Sequence, residues 1–78
     1  MALIDEVKSL VAEKLGLDAS AVSPESSFVD DLNADSLDLA DLVMALEDKY
    51  GLTFGDADTD KFKTVSDVVS AIEAKQQG

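Results

Sequence analysis

Apolar residues recur at helical spacing in three stretches of the chain. In the first, Leu3, Ile4, Val7, Leu10, Val11 and Leu15 share one face. Asp5 and Glu6 open this stretch and Lys14 nears its close, the polarity a helix dipole favours, and Gly16 follows as a C-cap. The pattern predicts a helix over about residues 2–15. A second is predicted over about residues 36–50, with Asp35 as N-cap, Asp38 in a capping-box position and Gly51 as the stop. The third long helix carries Val65, Val68, Val69 and Ile72. Thr64 caps it, Asp67 takes the capping-box position, and it ends near Lys75 with Gln76, Gln77 and Gly78 as a frayed tail.

The intervening segments lack a sustained period. Between Gly16 and Asp35, Ser20, Ser23, Pro24, Ser26 and Ser27 mark turns, and Leu17, Val22, Phe28, Val29 and Leu32 are expected to pin this long loop onto the helices. Asn33 stands where the chain must turn before the second helix, and asparagine tolerates positive φ better than most residues. After Gly51, Leu52 and Phe54 anchor a loop, and Asp56–Phe62 reads as a short helix. The fold class is therefore all-α: a small four-helix bundle, three helices longer and one short, with a long loop between helices 1 and 2 and one domain over residues 1–78.

The second helix has two apolar faces. At about 100° per residue, Leu39, Leu42, Val43, Leu46 and Tyr50 fall within one arc and form the core face. Leu37 and Met44, a heptad apart, lie on the far side, with Asp41 and Asp48 alongside and Asp35 and Asp38 leading in. A small bundle cannot bury both faces, so the second is an exposed apolar pair bordered by carboxylates.

Charge sharpens this picture. Seventeen acids against six lysines give a net charge of −11. Between Lys14 and Lys49 there is no basic residue, while nine acids intervene. Such a surface repels nucleic acid and anionic membranes and favours basic protein partners, with association that weakens as salt rises. The chain contains no cysteine, histidine or arginine. The usual general bases, nucleophile partners and zinc ligands are thus missing, and a non-enzyme is expected. No apolar run approaches the roughly 20 residues a membrane span requires. The N-terminal stretch resembles neither a signal nor a transit peptide, so a cytoplasmic, monomeric protein is expected.

Ser36 stands at the start of the second helix. Serine is common there for purely local reasons. Asp35 already supplies the cap, however, which leaves the Ser36 hydroxyl at an exposed helix start whose partial positive charge suits an attached phosphate. No residue of this chain could activate that hydroxyl, so any chemistry on Ser36 must be performed by another enzyme.

The run Asp31-Leu32-Asn33-Ala34-Asp35-Ser36-Leu37-Asp38 resembles the Asp-Leu-Gly-Ala-Asp-Ser-Leu-Asp signature of acyl carrier proteins. Phe28-Val29, Leu42-Val43-Met44-Ala45-Leu46-Glu47 and Lys61-Phe62-Lys63-Thr64-Val65 also resemble family segments at matching spacings, so the likeness runs through the whole chain. The resemblance implies that Ser36 receives 4′-phosphopantetheine from a phosphopantetheinyl transferase (a holo-carrier synthase). Acyl groups then ride as thioesters on the distal thiol, and fatty acid biosynthesis is the implied setting. It further implies partner docking through Asp35, Leu37, Asp38, Asp41, Met44, Glu47 and Asp48, against basic surfaces of enzymes of acyl-chain synthesis or transfer. An acyl pocket is implied among Phe28, Val29, Leu32, Leu39, Val43, Leu46, Phe54, Phe62 and Val68; plain core packing would use the same residues. Three positions depart from the family pattern. Asn33 replaces glycine, Leu39 is larger than the usual residue, and Gly55 stands where proline is common. With Phe54 and Phe62, that bulk points to short or unusual cargo.

Other readings fit parts of this pattern. An aminoacyl, polyketide or other specialised lipid-pathway carrier would have the same serine and fold, although the acidic second helix favours the fatty-acid type. An unmodified helical adaptor would leave Ser36 bare. Asp56-Ala57-Asp58-Thr59-Asp60 opens like an EF-hand loop, but Lys61 stands where glycine is needed and Asp67 where glutamate is. Weak divalent-cation binding is expected instead near Asp30, Asp31, Asp35 and Asp38, with no specific metal site.

Overall fold

The computed structural model describes residues 2–77. Three long helices, α1 (Leu3–Leu15), α2 (Ser36–Tyr50) and α4 (Val65–Gln77), pack with one short helix, α3 (Asp56–Thr59), and a single 3₁₀ turn at Ala19–Ala21 lies in the long loop. Among the described residues there is no strand, only an isolated antiparallel bridge between Ser27 and Thr64.

The helix ends follow the sequence signals. Gly16 and Gly51 close α1 and α2 in the left-handed region, at φ 70° and 64°, where a Cβ would be strained. Asp35 and Asp38 form a reciprocal capping box: the Asp38 amide donates to Asp35 Oδ1 at 2.9 Å and the Asp35 amide to Asp38 Oδ2 at 3.2 Å. At α4 the Thr64 amide donates to Asp67 Oδ2 at 3.0 Å and the Asp67 amide to Thr64 Oγ1 at 3.3 Å. Asn33 has φ 59°, so asparagine occupies the left-handed turn before α2.

The core draws on the three long helices and on the segments that join them. Val7 and Val11 of α1, Leu42 and Leu46 of α2, and Val65, Val68 and Ile72 of α4 are at most 1% exposed. Phe54 and Phe62 close it around α3, and Val22, Phe28, Leu32 and Ala34 are inserted from the long loop. Tyr50 Oη donates to Glu6 Oε1 at 3.3 Å, tying α2 to α1. Its burial, reinforced by the Glu6 charge, raises the phenol above its ordinary value.

The loop is held by backbone bonds as well as apolar anchors. The first two amides of α4 have no helical acceptor of their own. The Val65 amide donates to the Ser26 carbonyl at 3.2 Å and the Ser66 amide to the Pro24 carbonyl at 2.9 Å. The Phe28 amide returns a bond to the Lys63 carbonyl at 3.0 Å. Buried Ser26 keeps its hydroxyl satisfied through Ser23.

Three expectations are corrected. Leu17 and Val29 do not pin the loop: both lie at the surface, Val29 at 60% exposure. Asp31 and Leu32 both donate to the Ser27 carbonyl, so residues 27–32 form one tight turn. Phe28 and Leu32, four apart, share its inner side, and Val29 points away from them. The short helix stops at Thr59 rather than Phe62. Beyond it Lys61 and Phe62 bond to carbonyls three residues back, the tighter 3₁₀ pattern. The last helix runs past Lys75 to Gln77, because glutamine is a good helix former and no stop precedes Gly78, which lies outside the described residues.

Two outcomes follow. Asn33→Gly should leave thermal stability essentially unchanged, whereas Asn33→Val should cost about 1–2 kcal/mol, read as a lower denaturant midpoint. Asp67 accepts bonds from the Thr64 and Lys63 amides; led by the Thr64 bond, they hold its carboxyl below its ordinary value of 3.8. Its contribution is therefore complete above that value and is lost as the pH falls through and below it. Asp67→Asn should lower stability at neutral pH, and the gap to the wild type should close in acid.

Candidate functional site

Ser36 is the first residue of α2 and is exposed. The capping box is completed by Asp35 and Asp38, so the α2 start does not call on the serine side chain. Among the described residues the Ser36 hydroxyl makes no hydrogen bond. It stands at the positive end of a helix, open to solvent on one side and to a cleft on the other.

The cleft, of about 450 Å³, runs between α2 and α3. Ser36, Leu39, Ala40, Val43, Met44 and Glu47 form its α2 wall; Phe54, Asp56, Thr59, Asp60 and Phe62 form the opposite one. The rings of Phe54 and Phe62 meet edge to face, with centroids 5.3 Å apart. Glu47 Oε2 accepts the Phe54 amide proton at 2.8 Å, a charge-assisted bond that ties the far wall to α2. Lys75 of α4 holds Asp58 of α3 at 3.6 Å and stands 5.7 Å from the Phe54 ring centre.

Of the residues expected to line a pocket, the structure brings Leu39, Val43, Phe54 and Phe62 to this cleft. Phe28, Leu32, Leu46 and Val68 are instead buried core. Val29 is removed from both, being exposed on the loop. Ala40, Asp56, Thr59 and Asp60 were not anticipated as walls. Helical geometry carried part of the signal, since Ser36, Ala40, Val43 and Glu47 repeat at spacings of three and four. The α3 residues could be found only from the fold.

The outward face of α2 matches the helical wheel. Leu37 is 80% exposed and Met44 63%. Asp41 and Asp48 are exposed and, among the described residues, carry no hydrogen bond or ion pair. Asp35 also lies exposed on this face. Asp38 and Glu47 are half-buried and already bonded to amides, as described, so their carboxylates serve the fold before they serve any partner. Met44 sits on the crest: it borders the α2–α3 cleft on one side and a groove toward Leu10 and Glu13 of α1 on the other.

The expected weak cation site is not assembled. Asp31 Oδ2 accepts the Ser27 amide proton at 2.7 Å, and Asp35 and Asp38 are committed to the capping box. Among the described residues no three acidic side chains are gathered as a ligand set. The EF-hand-like stretch is helical from Asp56 to Thr59, which removes the loop such a site requires. No helix among the described residues is long and apolar enough to cross a membrane.

Comparison with known proteins agrees with this geometry. A family model described as the phosphopantetheine attachment site matches residues 5–72. An acyl carrier protein from Chlamydia caviae is 49% identical over 97% of this chain and 99% of its own. One from Helicobacter hepaticus is 51% identical over 97% of this chain and all of its own length (100%). The solved structure of a protein described as an acyl carrier protein from Mycobacterium tuberculosis superposes with a TM-score of 0.88 at 28% identity, covering 95% of this chain and 99% of that one. A helical bundle with an exposed serine at a helix start, matched along nearly its whole length by such relatives, belongs to the acyl carrier protein family, whose members are carriers bearing phosphopantetheine rather than catalysts.

Proposed function

We propose that Ser36 is the residue of this chain that bears 4′-phosphopantetheine, within a single acyl-carrier domain over residues 1–78. The observation that carries this is the Ser36 hydroxyl: exposed, unbonded among the described residues, and at the mouth of the α2–α3 cleft. The residues present fit the group. The amide-rich start of α2 favours a phosphate on Ser36 Oγ, and the nearest carboxylates are drawn onto backbone amides. When attached, the group supplies the thiol that a cysteine-free chain lacks, and acyl groups are held on it as thioesters.

The chain has no histidine or cysteine to deprotonate Ser36, so a phosphopantetheinyl transferase must recognise the site and do the chemistry. Asp35, Leu37, Asp38, Asp41, Met44, Glu47 and Asp48 form the surface for it and for the enzymes of acyl-chain synthesis or transfer. Exposed apolar residues at the centre with acids around them suit a partner with an apolar contact ringed by lysine and arginine. The acidic character of α2 supports a role in fatty acid biosynthesis. The net charge of −11 supports a monomer that resists self-association, and the cytoplasm is the setting we propose for it.

Incubation with a phosphopantetheinyl transferase and coenzyme A, followed by intact mass measurement, should add one phosphopantetheine group to the wild type and none to Ser36→Ala. An equal gain on Ser36→Ala would overturn the assignment. Replacing Asp41 by Asn together with Met44 by Ala should reduce transferase kcat/KM by roughly tenfold or more, a loss of about 1.4 kcal/mol, while far-ultraviolet circular dichroism stays unchanged. The wild-type rate should fall with added salt more steeply than that of the variant.

A further inference from the structure

The cleft that opens at Ser36 is closed on its inner side by two aromatic rings. Phe54 and Phe62 both line it, and both are more than nine-tenths buried. Both rings are packed against neighbours. Phe54 is anchored through its amide to Glu47 of α2, and its ring lies under Lys75 of α4, which is itself paired with Asp58. Phe62 is fixed against Phe54 edge to face, and its amide donates to the Thr59 carbonyl at 3.1 Å.

The apolar floor in front of these rings is short. From Leu39 to Val43 it extends about 6 Å along α2, at the 1.5 Å rise of a helix. That length holds roughly five carbon–carbon bonds laid end to end. Past it on α2 stand Met44, at the crest, and then Glu47, and the facing wall carries Asp56, Thr59 and Asp60. A hydrocarbon that continued in that direction would leave an apolar wall for a carboxylate rim, and one that continued inward would meet the rings.

Resting on the reading of Ser36 as the pantetheine-bearing residue, we propose that the Phe54–Phe62 pair is a chain-length stop, so that this carrier sheathes short acyl chains and leaves the distal carbons of long ones in solvent. The specificity lies in two side chains rather than in the size of the bundle. Sheathed methylenes stabilise the folded protein; unsheathed ones do not.

The test uses the protein loaded by transferase from butanoyl-, hexanoyl-, octanoyl-, decanoyl- and hexadecanoyl-coenzyme A, each product verified by intact mass. The melting temperature should rise by up to roughly 3–6 °C per fully sheathed methylene. The rise should end between hexanoyl and octanoyl, with no further gain at decanoyl or hexadecanoyl. Phe62→Ala should move this plateau to longer chains. Phe62→Leu, which keeps most of the packed volume, should move it the same way by less and serves if the alanine variant does not fold. A rise that continues through hexadecanoyl in the wild type, or a plateau that neither folded variant shifts, overturns the stop. Absence of any loaded product overturns the attachment reading and the stop with it, and the mass measurement tells that failure from the other.

Discussion

The fold depends on finding acceptors for the backbone amides at the start of α4. A helix leaves its first amides without partners, and a chain this small has few side chains to spare for them. Here the long loop supplies its own main chain. The Pro24 and Ser26 carbonyls accept from Ser66 and Val65, and Phe28 bonds back to Lys63. With the loop's backbone fixed, Val22, Phe28 and Leu32 reach the core, and the turn at Asn33 delivers the chain to α2 at a set place. The position of Ser36 is thus decided in part by contacts in the middle of the loop, eight to twelve residues before it, in a chain without a cysteine for a disulfide.

Helix α2 then serves three purposes on three strips. Leu42 and Leu46 belong to the core; Leu39, Val43 and Glu47 face the cleft; Leu37, Asp41 and Asp48 face solvent. Met44 stands where the second and third strips meet. The acids on this helix are also of two kinds. Asp41 and Asp48 are spent on nothing within the described residues, whereas Asp38 and Glu47 are tied to amides. A partner therefore meets two carboxylates that cost it only desolvation and others that must be released from, or shared with, an existing bond.

Much of this was legible in the residues themselves. Asp35 with Asp38, Thr64 with Asp67, and the glycines after α1 and α2 are local signals, and local physics acts on them wherever they occur. The exposure of Leu37 and Met44 followed from the period of the helix and the small size of the bundle. What failed to show depended on how a turn aims its side chains or on contacts between distant segments. Val29 looked like an anchor because it is apolar, but the turn from Ser27 to Leu32 decides which side it takes. The far wall of the cleft, Asp56, Thr59 and Asp60, is polar in sequence and gives no sign of facing α2. The aspartates expected near a cation are close in sequence, yet backbone amides claim three of the four, Asp31, Asp35 and Asp38.

The bond from Glu47 to the Phe54 amide has a thermodynamic corollary. One carboxylate belongs both to the acidic surface and to the clasp on the cleft. A lysine or arginine that captured it from outside would leave a part-buried amide wanting an acceptor, and the segment bearing Phe54 would be loosened by whatever free energy the capture gained at its expense. Linkage runs equally in reverse. Any cargo that shifted Phe54 would set that carboxylate free and alter the charge pattern a visitor encounters. Through a single side chain, the surface of the molecule carries information about its interior.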